Sequence, residues 1–199
     1  LITEFIVREW SPRGAGLNGF SYSPDGKKIV YTRTGVWLLD LESGETQQLV
    51  EGLGIVESWQ GAAGPAVYLD IVAWSPDGQK VLIEYSPYEG LASLVIDLET
   101  KVAYRAGGVY IGGGNLVEDF WGDNSLLMTS LEETGYDPSA GVDRSELYTA
   151  LLSEFSPTDE DQEIKRTVLY KNDGLFSPAV LARGLGKIFF SVYYSSEES

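Results

Sequence analysis

The 199-residue sequence contains neither cysteine nor histidine. The first absence excludes disulfides and metal sites built on thiolates, and the second removes the commonest general base and the commonest zinc ligand. No run of about 18 apolar residues is present, so we expect no membrane insertion. Basic residues are also scarce: 14 Lys and Arg stand against 30 Asp and Glu, which leaves a net charge of −16. A surface of that sign repels nucleic acid, and we exclude nucleic acid as a partner.

Glycine and aromatic residues are abundant by contrast, with 23 Gly, 12 Tyr and 5 Trp. Apolar residues make up 43% of the chain, which is typical of a folded globular protein. No helical periodicity longer than one turn is visible. Short runs of aromatic and β-branched residues recur between turn residues, and this pattern predicts many short strands.

One hairpin pattern organises the chain. In residues 20–32 the sequence Ser-Pro-Asp-Gly separates two strand-like runs, and its Pro, Asp and Gly each suit a tight turn. The same phrase returns with similar flanks in residues 72–83. Asp25 and Asp77 are 52 residues apart, since 77 − 25 = 52. A repeat of that period is typical of propellers and other repeat architectures.

Each copy of the hairpin continues into two further strands, so the repeating unit is a four-stranded antiparallel blade. The third copy is degraded, and residues 120–130 align with residues 22–32. Four blades are predicted, the last of them incomplete: residues 20–50, 71–105, 119–170 and 178–199. The predicted fold is therefore all-β, a single partial β-propeller over residues 1–199.

Six residues are interpreted as turn formers: Asp25, Gly26, Asp77, Gly78, Asp123 and Asn124. The recurring Asp could suggest a ligand set, but an Asp in this place ordinarily bonds its own backbone. Asn124 takes the place of glycine because Asn tolerates a positive φ better than most residues. In the turn between the third and fourth strands, Lys101 replaces the glycine found at Gly44, so we predict a somewhat different turn there.

Twelve apolar residues are predicted to pack between or within the blades. They are Phe20, Tyr22, Ile29, Tyr31, Trp37, Leu39, Trp74, Leu82, Ile96, Phe120, Leu127 and Phe189.

The Ser-Pro-Asp-Gly hairpin, followed by an apolar strand and Asp-Leu-x-Ser/Thr, resembles the repeat of TolB-like and WD-like bacterial β-propellers. It is also similar to the propeller of prolyl-oligopeptidase-type peptidases. The resemblance covers residues 20–50 and 71–105 well and residues 119–170 in part. It implies a propeller rather than the β-sandwich that similar hairpins could also build, and a periplasmic or extracellular location in a bacterium. It implies no particular function, because propellers host many unrelated roles.

A propeller blade has two ends. The first-to-second and third-to-fourth turns share one end, and the remaining connections share the other. The long connections predicted at 51–66, 86–92, 106–117 and 131–144 all fall at this second end, the long-loop face. Only the connection at 153–162 is long at the first end. The connections of the long-loop face contain four aromatic residues, Trp59, Tyr88, Tyr110 and Tyr136. Exposed Tyr and Trp are favoured interface anchors, so these four are the candidate binding residues, although each could instead pack on its own blade.

No metal or organic cofactor is predicted. The acidic run at residues 159–163 lacks the spacing and central glycine of a calcium loop, and it is interpreted as a solvated loop. The glycines at 107–108 and 112–114 lack the following helix and lysine of a phosphate loop, so we predict a flexible connection. The sequence also lacks Gly-x-Ser-x-Gly and the histidine of a serine hydrolase, so we predict no catalytic site in this chain.

These observations predict a non-catalytic protein-binding or scaffold propeller of an exported bacterial protein, with an unknown protein partner at the long-loop face. One alternative is a substrate-gating propeller of a serine peptidase whose catalytic domain lies outside this chain. Another is a secreted glycan-active propeller. Since about four blades is the lower limit for a closed ring, we also expect further blades or a second copy to complete the propeller.

Overall fold

A computed structural model describes most of the chain between residues 19 and 193. The described segments are 19–33, 35–51, 69–85, 91–110, 113–131, 144–155, 164–171, 175–176, 180–182, 185–190 and 192–193. This part contains sixteen β-strands and one short 3-10 helix. All of the strand pairs are antiparallel. No helix within these segments is long and apolar enough to cross a membrane.

Consecutive strands pair with one another in three blades. The first blade consists of β1 (Gly19–Tyr22), β2 (Lys28–Arg33), β3 (Gly35–Asp40) and β4 (Thr46–Glu51). The second blade consists of β5 (Leu69–Trp74), β6 (Lys80–Tyr85), β7 (Leu91–Asp97) and β8 (Ala103–Tyr110). The third blade consists of β9 (Gly113–Gly122), β10 (Ser125–Leu131), β11 (Arg144–Leu151), the 3-10 helix Leu152–Glu154, and β12 (Arg166–Lys171).

Two small pairs of strands follow the third blade. They join β13 (Leu175–Phe176) to β16 (Val192–Tyr193), and β14 (Val180–Ala182) to β15 (Lys187–Phe189). The second pair lies within residues 178–199, the range of the incomplete fourth blade.

The second and third blades belong to one continuous eight-stranded sheet, a difference from the prediction of separate blades. A ladder of three residue pairs joins β8 to β9, from Gly108 opposite Asn115 to Tyr110 opposite Gly113. The prediction of a flexible glycine-rich connection there is wrong. A Cβ on Gly107 would lie only 2.6 Å from the carbonyl oxygen of Asn115. Glycine at this position therefore permits the close approach of two backbones.

The blades pack face to face, and alternation along β6 shows how. Val81 and Ile83 belong to an apolar cluster shared with Val30 of the first blade. Leu82, which points to the opposite side, belongs to a second cluster shared with Met128 of the third blade. Because successive strand residues face opposite sides, a strand buried on both sides contributes to two layers of core.

The third blade continues the stack. Leu127 and Leu147 point away from the second blade and pack with Tyr170, Ile188 and Phe190. The rings of Tyr170 and Phe190 are 4.8 Å apart. Sheets stacked face to face in chain order are the architecture of a β-propeller, and the described strands do not close into a ring. The fold is thus all-β and a partial propeller, as predicted.

The register of β10 differs from the sequence alignment by one residue. The alignment of residues 120–130 with 22–32 puts Leu127 in the place of Ile29. In the structure Leu126 faces the preceding blade and Leu127 faces the following strands. The third hairpin has a two-residue loop, with Gly122 opposite Ser125. A shorter loop changes the register, and a shift of one residue exchanges the two sides of a strand.

Several predicted packing residues are buried, namely Trp74, Leu82, Ile96, Phe120 and Leu127. The prediction is wrong for three others: Phe20 is 60% exposed, Tyr22 is 56% exposed and Phe189 is 53% exposed. Phe20 and Tyr22 belong to an apolar side of the first blade that none of the described core clusters includes. The remaining four, on the same side of the first blade as Phe20, are half-buried: Ile29, Tyr31, Trp37 and Leu39.

Candidate binding face

Antiparallel pairing sorts the connections between the two ends of the blades. One end holds five tight turns, at 23–27, 41–45, 75–79, 98–102 and 123–124, and also receives the longer connection at 152–165. The other end receives the connections at 34, 52–68, 86–90, 111–112 and 132–143. This second end is the long-loop face predicted from the sequence, although its connection at 106–117 shrinks to residues 111–112.

Three of the four candidate binding residues, Trp59, Tyr88 and Tyr136, lie outside the described residues. The fourth, Tyr110, is the last residue of β8, and its backbone pairs with Gly113 at the long-loop face. The role of all four as binding residues therefore stays a prediction.

A polar row crosses the third blade at the long-loop face. Asn115, Ser130, Glu146 and Lys171 lie opposite one another on four neighbouring strands. They point toward the second blade, because Val117 and Tyr148, two residues further along their strands, belong to the cluster between these blades. Sequence reasoning missed this row, since its members are scattered over 57 residues (171 − 115 + 1 = 57) and only the register aligns them.

Glu146 is the centre of the polar row and is only 6% exposed. Lys171 Nζ donates to its Oε1 at 2.6 Å, and Arg166 lies 2.8 Å from its Oε2 as an ion pair. The hydrogen bond from Lys171 holds the pKa of Glu146 below its usual value, and Arg166 adds to this effect, although burial opposes it. The carboxylate is therefore held ionised and fixed in place between two cations.

Tyr148 connects this ion cluster to the junction of the two blades. Its hydroxyl donates to Asn115 Oδ1 at 2.7 Å, and the guanidinium of Arg166 lies 5.2 Å from its ring centroid. Burial raises the pKa of Tyr148 to about 12. The side chain is thus neutral at physiological pH and serves as a hydrogen-bond donor and a cation-binding ring.

The second blade also presents polar groups to this boundary. Glu84 and Ser93 lie opposite one another on the side of the second blade that faces the third. Ser93 is fully buried, and its Oγ has no hydrogen-bond partner among the described residues. The boundary between the second and third blades is therefore polar near the long-loop face and apolar toward the tight-turn end. Within the described segments, no group of three or more acidic residues is arranged to hold a metal ion.

At the opposite end, the two Ser-Pro-Asp-Gly turns have one shared geometry. Ser23 Oγ donates to Asp25 Oδ1 at 2.6 Å, and the Lys27 N–H donates to the same oxygen at 3.0 Å. These two hydrogen bonds, the first above all, lower the pKa of Asp25. Gly26 has a φ of 71°. The Asp holds its own turn, in agreement with its interpretation as a turn former.

The second turn repeats this arrangement around Asp77, which accepts hydrogen bonds from Ser75 Oγ and the Gln79 N–H. Partial burial opposes ionisation of Asp77, but these bonds and Lys80 outweigh it, so the pKa lies below its usual value. Gly78 has a φ of 69°.

Asp123 and Asn124 differ from the corresponding residues of the first two blades. Asp123 Oδ1 accepts a hydrogen bond from the backbone N–H of Asp77, at 2.9 Å. Asp123 thus bonds the neighbouring blade, whereas the sequence predicted a bond within its own turn. The positive φ predicted for Asn124 is also wrong, because among the described non-glycine residues only Lys101 has one. The two-residue loop of this hairpin removes the position that needed it.

The prediction of a different turn at Lys101 is wrong as well. Lys101 has a φ of 62° and its N–H donates to the carbonyl of Asp97 at 2.9 Å. Gly44 has a φ of 74° and donates to the carbonyl of Asp40 at the same distance. Lysine therefore adopts the left-handed conformation that glycine adopts in the first blade, at a cost in backbone strain.

No known protein family matches the sequence, and no curated protein is similar to it. Among solved structures, the chain is similar to TolB from Acinetobacter baumannii, with 17% identity and a TM-score of 0.49 over 93% of this chain and 39% of that one. It is also similar to the β-propeller domain of the Trilobed protease from Pyrococcus furiosus, with 17% identity and a TM-score of 0.41 over 78% of this chain and 43% of that one. The chain thus spans about two fifths of the length of these two β-propeller structures.

Proposed function

We propose that this partial β-propeller is a non-catalytic protein-binding or scaffold module of an exported bacterial protein, and that it contacts its partner through the long-loop face. The main support is the sorting of connections by the antiparallel strands, which brings residues 52–68, 86–90 and 132–143 to one end of the blades. Long connections on a rigid scaffold commonly carry recognition, because they tolerate variation without loss of the core.

The polar row of the third blade supports the same choice of face. It contributes one cation, Lys171, to an overall acidic chain. Arg166, at the other end of β12, reaches Glu146 of the row, and both cations remain accessible to solvent. Protein interfaces combine a core enriched in aromatic residues with a polar, solvent-accessible rim, and accessible cations fit such a rim. The candidate aromatic anchors are Trp59, Tyr88, Tyr110 and Tyr136.

Site-specific photo-crosslinking tests this proposal. A photoreactive phenylalanine analogue replaces Tyr88 or Tyr136 on the long-loop face, or Leu41 in a tight turn at the opposite end. The cells used are bacteria that produce the protein with an export signal. We expect one discrete crosslinked species from the first two positions and none from Leu41. Adding Trp59→Ala should reduce its yield at least five-fold without changing the melting temperature. Fractionation of the same cells tests the periplasmic or extracellular location.

The proposal fails if Leu41 yields the crosslinked species as well as Tyr88 does, or if no position yields one. Loss of the melting transition in Trp59→Ala would show instead that this residue packs on its own blade. In that case Tyr136→Ala serves as the second variant, with the same expected five-fold loss of yield.

A further inference from the structure

The first blade has an apolar side that none of the described core clusters includes. We call it the open side, and it carries Phe20, Tyr22, Ile29, Tyr31, Trp37 and Leu39. Two rows of cross-strand neighbours build it, one through Phe20, Tyr31 and Trp37 and the other through Tyr22, Ile29 and Leu39. The rings of Tyr31 and Trp37 are stacked at 6.4 Å. A continuous aromatic side of this kind is rarely left in contact with water.

In the second blade the corresponding side is buried. Its matching residues are Trp74 for Tyr22, Val81 for Ile29, Ile83 for Tyr31, Leu94 for Trp37 and Ile96 for Leu39. All five are buried in the cluster that the second blade shares with the first. In the third blade, Leu126 and Met128 are buried in the same way against the second. In the second and third blades this side is therefore covered by the blade that precedes it in the chain.

Trp37 gives a second sign that the open side is incomplete. Its Nε1–H is buried and has no hydrogen-bond partner among the described residues. A buried donor without an acceptor destabilises the folded state, because it has lost its hydrogen bond to water. An added layer that supplies a carbonyl or carboxylate oxygen would remove this destabilisation.

We propose that residues 1–18 of the same chain cover the open side. They precede β1 directly, so they occupy the place in chain order that the first blade occupies for the second. An extended chain of 18 residues reaches about 60 Å, whereas a four-stranded sheet is only about 15 Å wide. The segment carries the apolar side chains such a contact needs, among them Phe5, Val7 and Trp10.

Charge favours this occupant over a second copy of the chain. Residues 1–18 contain two acidic residues, Glu4 and Glu9, and two basic residues, Arg8 and Arg13, so their side chains are neutral in sum. A second copy would instead bring a net charge of −16 against another −16. Like charges at that density oppose association at ordinary salt concentrations.

The absence of native cysteine makes thiol labelling a direct test. A single cysteine is placed at Tyr22 (Tyr22→Cys), and its rate of reaction with a maleimide is measured in the full chain. The same rate is measured after Phe5→Asp and Trp10→Asp are added, which put charges into the covering segment. We expect the full chain to react at least ten-fold more slowly than the triple variant, at every protein concentration. Leu41→Cys, in an exposed turn of the same blade, is the control and should react equally fast in both backgrounds.

Three results would overturn the proposal. Labelling of Tyr22→Cys as fast as Leu41→Cys in the full chain means that nothing covers the open side. Protection that disappears on dilution means that a second copy covers it. Protection that survives the two Asp substitutions means that another segment does. Circular dichroism of each variant verifies that the sheets are intact, and Phe20→Cys replaces Tyr22→Cys if the latter fails to fold. None of these outcomes bears on the long-loop face, so the two proposals can fail separately.

Discussion

Asp123 in the third blade accepts a hydrogen bond from the backbone N–H of Asp77 in the second, at 2.9 Å. The Asp77 side chain meanwhile holds its own turn through Ser75 and Gln79. The same residue type thus has two roles, one within a hairpin and one between blades. The link lies at the tight-turn end, opposite the long-loop face, and it fixes the second and third blades to one another there.

Replacing Asp123 tests the strength of this link. Asp123→Ala should lower the free energy of unfolding by about 1 kcal/mol, because it leaves the Asp77 N–H without its protein acceptor. Asn124→Ala, in the same loop, is the matched control and should change the stability by less than half as much. Urea unfolding measures both. Equal effects of the two substitutions would mean that the loop backbone, and not the hydrogen bond, carries the contribution.

Exchanging Lys101 and Gly44 tests the strain in the left-handed turns. A non-glycine residue in this conformation costs about 1–2 kcal/mol, partly offset because glycine loses about 0.5–1 kcal/mol more in backbone entropy on folding. Gly44→Lys should therefore destabilise by about 0.5 kcal/mol. No clash adds to this strain, because a Cβ there meets no neighbour within 4 Å. Lys101→Gly should stabilise by about 0.5 kcal/mol. Thermal and urea unfolding give both values, and a destabilising Lys101→Gly would contradict the strain argument.

Gly107→Ala tests the close approach between β8 and β9. A Cβ would meet the backbone carbonyl of Asn115 at 2.6 Å, and a backbone cannot yield as a side chain can. We expect a loss of about 2 kcal/mol, in the range of overpacking substitutions. Gly122→Ala is the control, because its Cβ would meet only the Ser125 side chain, at 3.2 Å. A loss at Gly107 no larger than that at Gly122 would show that the three-pair ladder can shift without cost.

The tight turns predict a loss of stability in acid. Burial of Asp97 opposes its ionisation, but hydrogen bonds from the Thr100 N–H and hydroxyl outweigh it, so its pKa is lowered, like that of Asp77. A lowered folded pKa means that the unfolded chain binds more protons in acid. The contribution of these two ionised Asp residues to the free energy of unfolding is therefore complete above about pH 4. It declines as the pH falls through their folded pKa values. Urea unfolding between pH 2 and pH 6 should show a shallower decline for Asp77→Asn than for the control Glu99→Gln.

We expect the contribution of Tyr148 to stability to be lost in alkali, the opposite pH dependence to that of the tight turns. Burial raises its pKa to about 12, above the unfolded value of about 10. Its contribution to stability is complete below about pH 10 and is lost as the pH rises toward 12. Tyr148→Phe should flatten this decline and, at neutral pH, cost about 1 kcal/mol for the lost bond to Asn115. Tyr104→Phe, at a half-buried position of the second blade, is the control for the loss of a hydroxyl. If the stability of Tyr148→Phe declines in alkali as steeply as that of the wild type, then groups other than Tyr148 cause the decline.

The sequence by itself determined the strands and most of the turns. The Ser-Pro-Asp-Gly phrases around Asp25 and Asp77 place two hairpins, and the predicted bounds of the first blade agree with β1–β4 within one or two residues. The antiparallel order and the long-loop face follow from the same repeat. These features depend on a few adjacent residues, whose φ preferences and alternating polarity act locally.

Only the tertiary structure decided which sides of the strands are covered and which residues meet across strands. Phe20 and Tyr22 are large aromatic residues of the kind found in cores, yet they are exposed. Burial depends on whether another layer packs against the strand, and the residue type alone does not decide it. A two-residue loop moved Leu127 to the other side of its blade, and the row from Asn115 to Lys171 exists only in the final register. Contacts between distant residues are set by loop length and sheet stacking, which no local pattern encodes.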